Sequence, residues 1–321
     1  MAQTNILLET GTNELEVVEF FIDEQDEEGE TYTGYYGMNV AKVLEIIRKP
    51  EVTEMPESQH KCLMGAFNLR SKVVPLIDLS LWLNKTMVQS EAQKVIVTEF
   101  NSVTNSFLVS GVNRIHRLSW EQVEPPGKQL TEFSDECVTG VVKFDDRILM
   151  ILDMEKIVAD LNPKLGLKVD PNAAASRPQG DRPVKILFAD DSSMIRKTMQ
   201  RGLTQAGFEV ELATDGKAAW DRLQQIKQQS LDSETPLLDI LNIVISDIEM
   251  PSMDGHNLTK RIKDDPVLKE LPVILFSSLI TDILRHKGAS VGADEQISKP
   301  DIPRLTDITK KLLSERQGFT F

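Results

Sequence analysis

Cysteine is almost missing from this chain: Cys62 and Cys137 are the only two in 321 residues. They stand far apart, form no Cys-x-x-Cys pair and have no histidine at metal-ligand spacing, which argues against a disulfide framework and against a zinc centre. Both are expected as buried thiols in a reducing cytoplasm. Long apolar runs are lacking too. No window approaches the roughly 18 uninterrupted apolar residues of a membrane-spanning helix, and the N-terminus, Met1-Ala-Gln-Thr-Asn, has no positive region leading into an apolar one, so no secretion signal is expected. Positive charge is scarce, with 36 Lys and Arg against 50 Asp and Glu and a net charge of -14. That balance excludes sequence-independent affinity for nucleic acid or an anionic membrane surface, both of which need a basic face. A soluble, cytoplasmic protein whose partners carry basic patches is expected.

The hydrophobic share of 40% and charged share of 27% are ordinary for a globular chain, and the length suits two domains with two packed cores. After Ile6-Leu7-Leu8, residues Leu15 to Ile22 read as a strand, and six acids within Asp23 to Glu30 around Gly29 read as a solvated hairpin tip. From Tyr35 to about Leu161 short apolar runs recur between turn residues: Lys61 to Leu69, Val73 to Leu79, Lys94 to Glu99, Ser106 to Val112, Cys137 to Phe144 and Arg147 to Asp153. That spacing predicts an all-β domain. Brief helices are expected at Asn39 to Ile47 and Met154 to Leu161.

Residues Gly166 to Pro183 (GLKVDPNAAASRPQGDRP) read as a linker. Strands and helices then alternate: strand Val184 to Ala189, helix near Ser193 to Ala206, strand Phe208 to Ala213, helix Gly216 to Gln228, strand Leu241 to Ser246, helix Asn257 to Lys263, strand Pro272 to Ser277, helix Thr281 to Lys287, strand Glu295 to Ser298 and helix Pro303 to Leu313. The polar stretch Gln228 to Ile240 is expected as a long surface loop. Strands that read as continuous Val/Ile/Leu runs specify a parallel sheet covered on both faces, a doubly wound α/β fold. The expected domains are 1–165, a linker at 166–183 and 184–321.

In such sheets the functional crevice lies at the carboxyl ends of the strands. There the sequence places Asp190-Asp191, Asp247, Ser277-Ser278 and Lys299-Pro300, one set at each of four strand ends. Converging carboxylates repel one another, so an oxygen-preferring divalent cation, best Mg²⁺, is the natural neutraliser. A carboxylate nucleophile beside Mg²⁺, with a hydroxyl and an ammonium to engage the remaining oxygens, is equipped to accept a phosphoryl group.

The stretches FADDSSMIR, IVISDIEMPSMDG, VILFSSL and ISKP resemble the receiver domain of two-component response regulators, a flavodoxin-like fold, from Val184 onward. The resemblance implies Asp247 as phospho-acceptor, Asp191 and Asp247 as direct Mg²⁺ ligands with the Glu249 main-chain carbonyl, and Asp190 as a ligand through water. It implies Ser277 as the switch hydroxyl and Lys299 as the phosphoryl-binding ammonium. Two positions depart from the family pattern. Gln296 stands where many receivers carry an aromatic switch residue, and Glu249, two after the acceptor, is expected to alter phosphoryl lifetime.

The first domain has no phosphate-binding glycine loop, nucleophile elbow, HExxH or kinase-type histidine helix. Instead YYGMNVAKVLEII, KCLMGAFNLRSKVVPLIDLSLWL, FLVSGVNRIHRLSWEQVEPPG and VTGVVKFDDRILMILDMEKI resemble the CheW-like coupling domain of bacterial chemotaxis over roughly Glu14 to Leu161. This implies two five-stranded β-barrels that join chemoreceptor cytoplasmic tips to the histidine kinase CheA. The opening ILLETGTNELEVVEF and the order of the two domains are similar to the CheV family. Arg70, Val43 and Ile115 are implied at or near the partner surface, with a solvated turn charge as the alternative for Arg70 and core for Val43. His116 is expected as a surface polar residue, and Trp82 and Trp120 as core or barrel-seam aromatics. The expected function is a non-enzymatic adaptor, recruited to membrane-associated receptor arrays without inserting in the membrane and controlled through Asp247. The alternative is a phosphate sink that drains CheA, with the coupling domain as a tether. A metabolite phosphohydrolase lacks its DxD motif and substrate cap.

Overall fold

A computed structural model of the chain describes residues 14–26, 28–55, 60–100, 103–127, 137–161, 183–278, 282–299 and 301–321. They form two compact units, the first chiefly residues up to Leu161 and the second chiefly residues from Pro183 on. The expected strand at Ile6-Leu7-Leu8 and, apart from Pro183, the expected linker lie outside the described residues.

The first unit contains β1 (Glu14–Gln25), β2 (Thr31–Asn39), β3 (Val43–Arg48), β4 (Leu63–Leu69), β5 (Lys72–Asp78), the single turn α1 (Leu79–Trp82), β6 (Lys94–Phe100), β7 (Val103–Val109), β8 (Gly111–Ser119), β9 (Val138–Lys143), β10 (Ile148–Leu152) and α2 (Met154–Leu161). These make two five-stranded sheets, ordered β8-β1-β2-β10-β9 and β3-β6-β7-β5-β4. The two sheets repeat one design. Each contains a parallel pair, β2 with β10 and β7 with β5. In each a buried cysteine carbonyl, Cys62 or Cys137, accepts a 2.7 Å bond from the N–H of an aspartate, Asp78 or Asp153, at the start of the following helix. A glycine three residues after each cysteine lets a neighbouring segment approach: a Cβ on Gly65 would lie 2.3 Å from the Thr53 carbonyl oxygen, and one on Gly140 2.4 Å from Val123. The next residues, Ala66 and Val141, bridge to Thr53 and Glu124.

Several local expectations are overturned. Asn39 to Ile47 is not a helix: Asn39 caps only the 3₁₀ turn Val40–Lys42, and Val43 returns to extended backbone as the first residue of β3. Its apolar residues fit either period, and antiparallel pairing with β6 decides the matter. The run Ser106 to Val112 is two strands with Ser110 at the corner, where the Ser110 hydroxyl accepts from Asp23 N–H at 2.8 Å. The hairpin tip is solvated as expected at Asp26, Glu28 and Glu30, but Glu24, near the end of β1, is buried, bonded to the Tyr36 hydroxyl at 2.8 Å and to Lys85. His116 is no surface residue either. It bonds the fully buried Glu19 carboxylate and stacks on Phe144. Trp82 and Trp120 are where they were expected: Trp82 packs on the core, and Trp120 is buried at the start of a 3₁₀ turn.

The second unit runs β11 (Lys185–Ala189), α3 (Ser193–Gln205), β12 (Glu209–Ala213), α4 (Gly216–Ser233), α5 (Leu237–Ile240), β13 (Ile243–Ser246), α6 (Gly255–Asp264), β14 (Val273–Ser277), α7 (Asp282–Ser290), β15 (Glu295–Ser298) and α8 (Ile302–Gln317). Its sheet is parallel throughout, ordered β12-β11-β13-β14-β15. Alternate residues of β11 explain why both faces are covered. Ile186 and Phe188 join the core with Ile195 and Met199 of α3 and Leu305 and Leu313 of α8, whereas Leu187 and Ala189 join Ala219 and Leu223 of α4 and Leu258 and Ile262 of α6. The expected loop at Gln228 to Ile240 is instead helical: α4 runs on to Ser233, ends at Glu234 in the left-handed region, and the one-turn α5 follows. Ala219, Leu223, Ile226 and Ser230 hold one buried stripe, so the polar residues among them only face water.

Candidate functional site

The winding direction of the second sheet fixes where its crevice lies. The chain leaves β11 for β12 on one side and returns to β13 on the other, so the carboxyl ends of β11 and β13 lie side by side. Ile186 to Ala189 pair in register with Ile243 to Ser246, and Asp247 N–H donates to the Ala189 carbonyl at 2.8 Å. Asp190 and Asp247 therefore leave adjacent strands at the same level. β14 and β15 add Ser277 and Lys299, and Lys299 N–H donates to the Ser277 carbonyl at 2.9 Å. Asp190, Asp247, Ser277 and Lys299 are all buried, and Asp191 is half-buried.

The Lys299 ammonium is the hub of this cluster, donating to Asp190 Oδ2 at 2.8 Å and to Asp247 Oδ2 at 2.9 Å. Backbone donors hold the other oxygens: Ser192 N–H reaches Asp190 Oδ1 at 2.9 Å, and Ile248 N–H reaches Asp247 Oδ1 at 2.7 Å. Asp190, Asp191 and Asp247 each offer a carboxylate oxygen, and these atoms lie within 4.8 Å of one another. Ionised, they set three negative charges against one ammonium. An all-oxygen donor set with excess negative charge fits a hard divalent cation.

The loop after Asp247 is shaped by a close approach. A Cβ on Gly255 would lie 2.0 Å from the Asp247 carbonyl oxygen, and Gly255 N–H donates to the Ile248 carbonyl at 2.9 Å. Asp254 caps α6 by accepting from Asn257 N–H at 2.6 Å. Burial pushes its carboxyl up to about 6 against the hydrogen bonds that favour its charge. The contact that demands glycine there is visible only in three dimensions.

Glu249 is half-buried two residues beyond Asp247. Gln296 lies on β15 beside Leu275, and its amide donates to the Arg285 carbonyl of α7 at 2.8 Å. A Cβ on Gly288 would come within 2.4 Å of that amide, so a glycine in α7 makes room for it. The sequence reading singled out Gln296 and missed Gly288.

In the first unit Arg70 and Ser71 adopt positive φ at the β4–β5 turn. Arg70 pairs with Glu45 of β3 at 3.0 Å, and since β3 and β4 are opposite edges of one sheet, this contact marks its closure into a barrel. Val43 packs on the core, whereas Ile115 is exposed on β8 of the other sheet. Val73, 79% exposed, lines an apolar groove of about 730 Å³ with Met55, Leu63, Pro75, Val103 and Leu161. Among the described residues no helix is long and apolar enough to cross a membrane.

Comparison with known proteins matches both units. Residues 26–162 match the CheW-like domain and residues 186–310 the response regulator receiver domain. Chemotaxis protein CheV3 of Helicobacter pylori is 35% identical over 307 residues, covering 94% of this chain and 96% of the relative. Chemotaxis protein CheW of Thermotoga maritima is 29% identical, over 48% of this chain and 94% of its own. Among solved structures, chemotaxis protein CheY4 of Vibrio cholerae shares 28% identity at a TM-score of 0.34, covering 42% of this chain and 98% of that one.

Proposed function

The chain belongs to the CheV family, and on that footing we propose that it is a chemotaxis signalling adaptor: its first unit couples chemoreceptor cytoplasmic tips to the histidine kinase CheA, and phosphorylation of Asp247 controls that coupling. The observation that carries the reading is Lys299 bridging Asp190 and Asp247 at the mouth of a parallel sheet. The proposed domain limits are 1–165 and 184–321, joined by 166–183. The protein works in the cytoplasm at receptor arrays and turns over no separate substrate.

Asp190, Asp191, Asp247 and the Glu249 carbonyl are the proposed holders of Mg²⁺, which when bound neutralises oxygens of the transferring phosphoryl group. The Asp247 carboxylate is the nucleophile, its orientation set by Ile248 N–H and Lys299. As phosphoryl charge develops, the Lys299 ammonium has a stronger acceptor than the carboxylate it holds at rest, and the Ser277 hydroxyl supplies a second donor. Moving a two-state equilibrium from about 1:99 to 99:1 takes roughly 5.5 kcal/mol of differential stabilisation, the scale of a few charge-assisted hydrogen bonds. Arg70 and Ile115 present themselves to partners, and Val43 supports β3 from the core side. The direct test is phosphotransfer from labelled CheA: label is expected on the wild-type chain and not on Asp247→Asn. Label retained by that variant overturns the assignment.

A further inference from the structure

Each carboxylate oxygen of Asp190 accepts from a donor already described, and the backbone of Asp190 is held as well. Asp190 N–H donates to the Ala213 carbonyl at 3.3 Å. The Asp190 carbonyl accepts from Arg196 Nη1 at 2.7 Å. Arg196 stands in the first turns of α3 and is half-exposed. Its guanidinium reaches back over the N-terminus of its own helix to hold a peptide bond that leads into the site.

That peptide joins Asp190 to Asp191. Because a peptide unit is planar, fixing the direction of its carbonyl also fixes the Asp191 N–H and the Asp191 Cα. Asp190 has its side chain tied by Ser192 and Lys299. Asp191 is half-buried, and its carboxylate is carried by the backbone that Arg196 holds. We propose that Arg196 is a positioning residue of the phosphoryl site: by clamping the Asp190–Asp191 peptide it aims the Asp191 carboxylate at the cation. The inference rests on the cation reading of the three aspartates and not on regulation of the adaptor.

The two things Arg196 can do to a cation act with opposite signs. As a positive charge near the site it repels the cation, so removing it tightens binding. As a clamp it organises a ligand, so removing it loosens binding, and groups that orient metal ligands are worth about 10- to 100-fold in affinity. The sign of one measurement separates them.

The experiment is calorimetric titration of the full chain with Mg²⁺, repeated with Mn²⁺ by electron paramagnetic resonance, for wild type, Arg196→Met and Arg196→Lys. Thermal unfolding in EDTA checks that each variant is folded. Arg196→Met is expected to raise Kd by about 10-fold or more. Arg196→Lys reaches the carbonyl without the planar fork and is expected to fall between. An unchanged or lower Kd in Arg196→Met overturns the proposal; should that variant fail to fold, Arg196→Lys decides, and a Kd equal to that of wild type overturns it. A wild-type chain that binds neither cation overturns the cation reading and this inference with it, whereas normal cation binding in wild type with no effect of either variant overturns this inference alone.

Discussion

Lys299 holds Asp190 and Asp247 together through one ammonium, 2.8 Å from the first and 2.9 Å from the second. Both carboxylates are buried, so removing the ammonium leaves them facing each other and Asp191 without it. Lys299→Met is expected to lower the stability of the second unit by about 3–5 kcal/mol without divalent cation, the cost of breaking a buried ion pair from one side. Saturating Mg²⁺ is expected to recover part of that loss. Urea unfolding with EDTA and with Mg²⁺ checks both halves of the expectation.

Gly255 lies against the backbone of Asp247. A methyl group at that position must displace either the Asp247 carbonyl or the start of α6. Gly255→Ala is expected to cost about 1–3 kcal/mol, as overpacking does, and to slow phosphotransfer more than it lowers stability, because the shift falls on the proposed nucleophile. Comparing the rate of label transfer from CheA with the unfolding midpoint tests this. A normal rate in a destabilised variant contradicts it.

The strand ends were legible in the sequence because the chemistry sits where buried parallel strands stop. An uninterrupted run such as Ile243 to Ser246 can end in a carboxylate only at the mouth of a sheet, so Asp190, Asp247, Ser277 and Lys299 announced themselves together. Helix α4 was harder to read. Its last turns carry Gln228, Gln229 and Asp232 beside a narrow buried stripe, and composition hid the helical period. His116 misled for another reason: its partner Glu19 lies 97 positions away, and no local pattern marks a glutamate that a strand turns inward. The duplication of the two sheets was present in the sequence as equal spacings of Cys62, Gly65 and Asp78 and of Cys137, Gly140 and Asp153. It went unread because few other residues repeat.

Glu19 should make the first unit sensitive to acid. Burial raises its carboxyl, but hydrogen bonds from Arg147, His116 and Asn113 outweigh burial and hold it at about 2, below its ordinary 4.5. A carboxylate with a depressed folded value stabilises the fold above its ordinary value and loses that contribution as pH falls through the folded one. Wild type is therefore expected to lose stability between about pH 4.5 and 2. Glu19→Gln is expected to be less stable at neutral pH by roughly 3 kcal/mol, the gap closing across the same window. Urea unfolding at several pH values would show a parallel offset if the network does not matter.

Glu249 stands two residues after Asp247 and is half-buried. We expect it to influence a hydrolytic water, so Glu249→Ala should change the half-life of phosphorylated protein several-fold while transfer from CheA proceeds. Loss of label over time, followed in the two proteins side by side, gives the answer. Equal half-lives remove Glu249 from the mechanism.

The most direct test of the central claim is kinase activity in arrays rebuilt from chemoreceptors, CheA and this chain, measured with and without beryllofluoride as a stable phosphoryl mimic. The account predicts that beryllofluoride shifts CheA activity, and that Asp247→Ala abolishes the shift while the chain still joins the array. Kinase activity that is the same with and without beryllofluoride, in arrays that contain the wild-type chain, would contradict it.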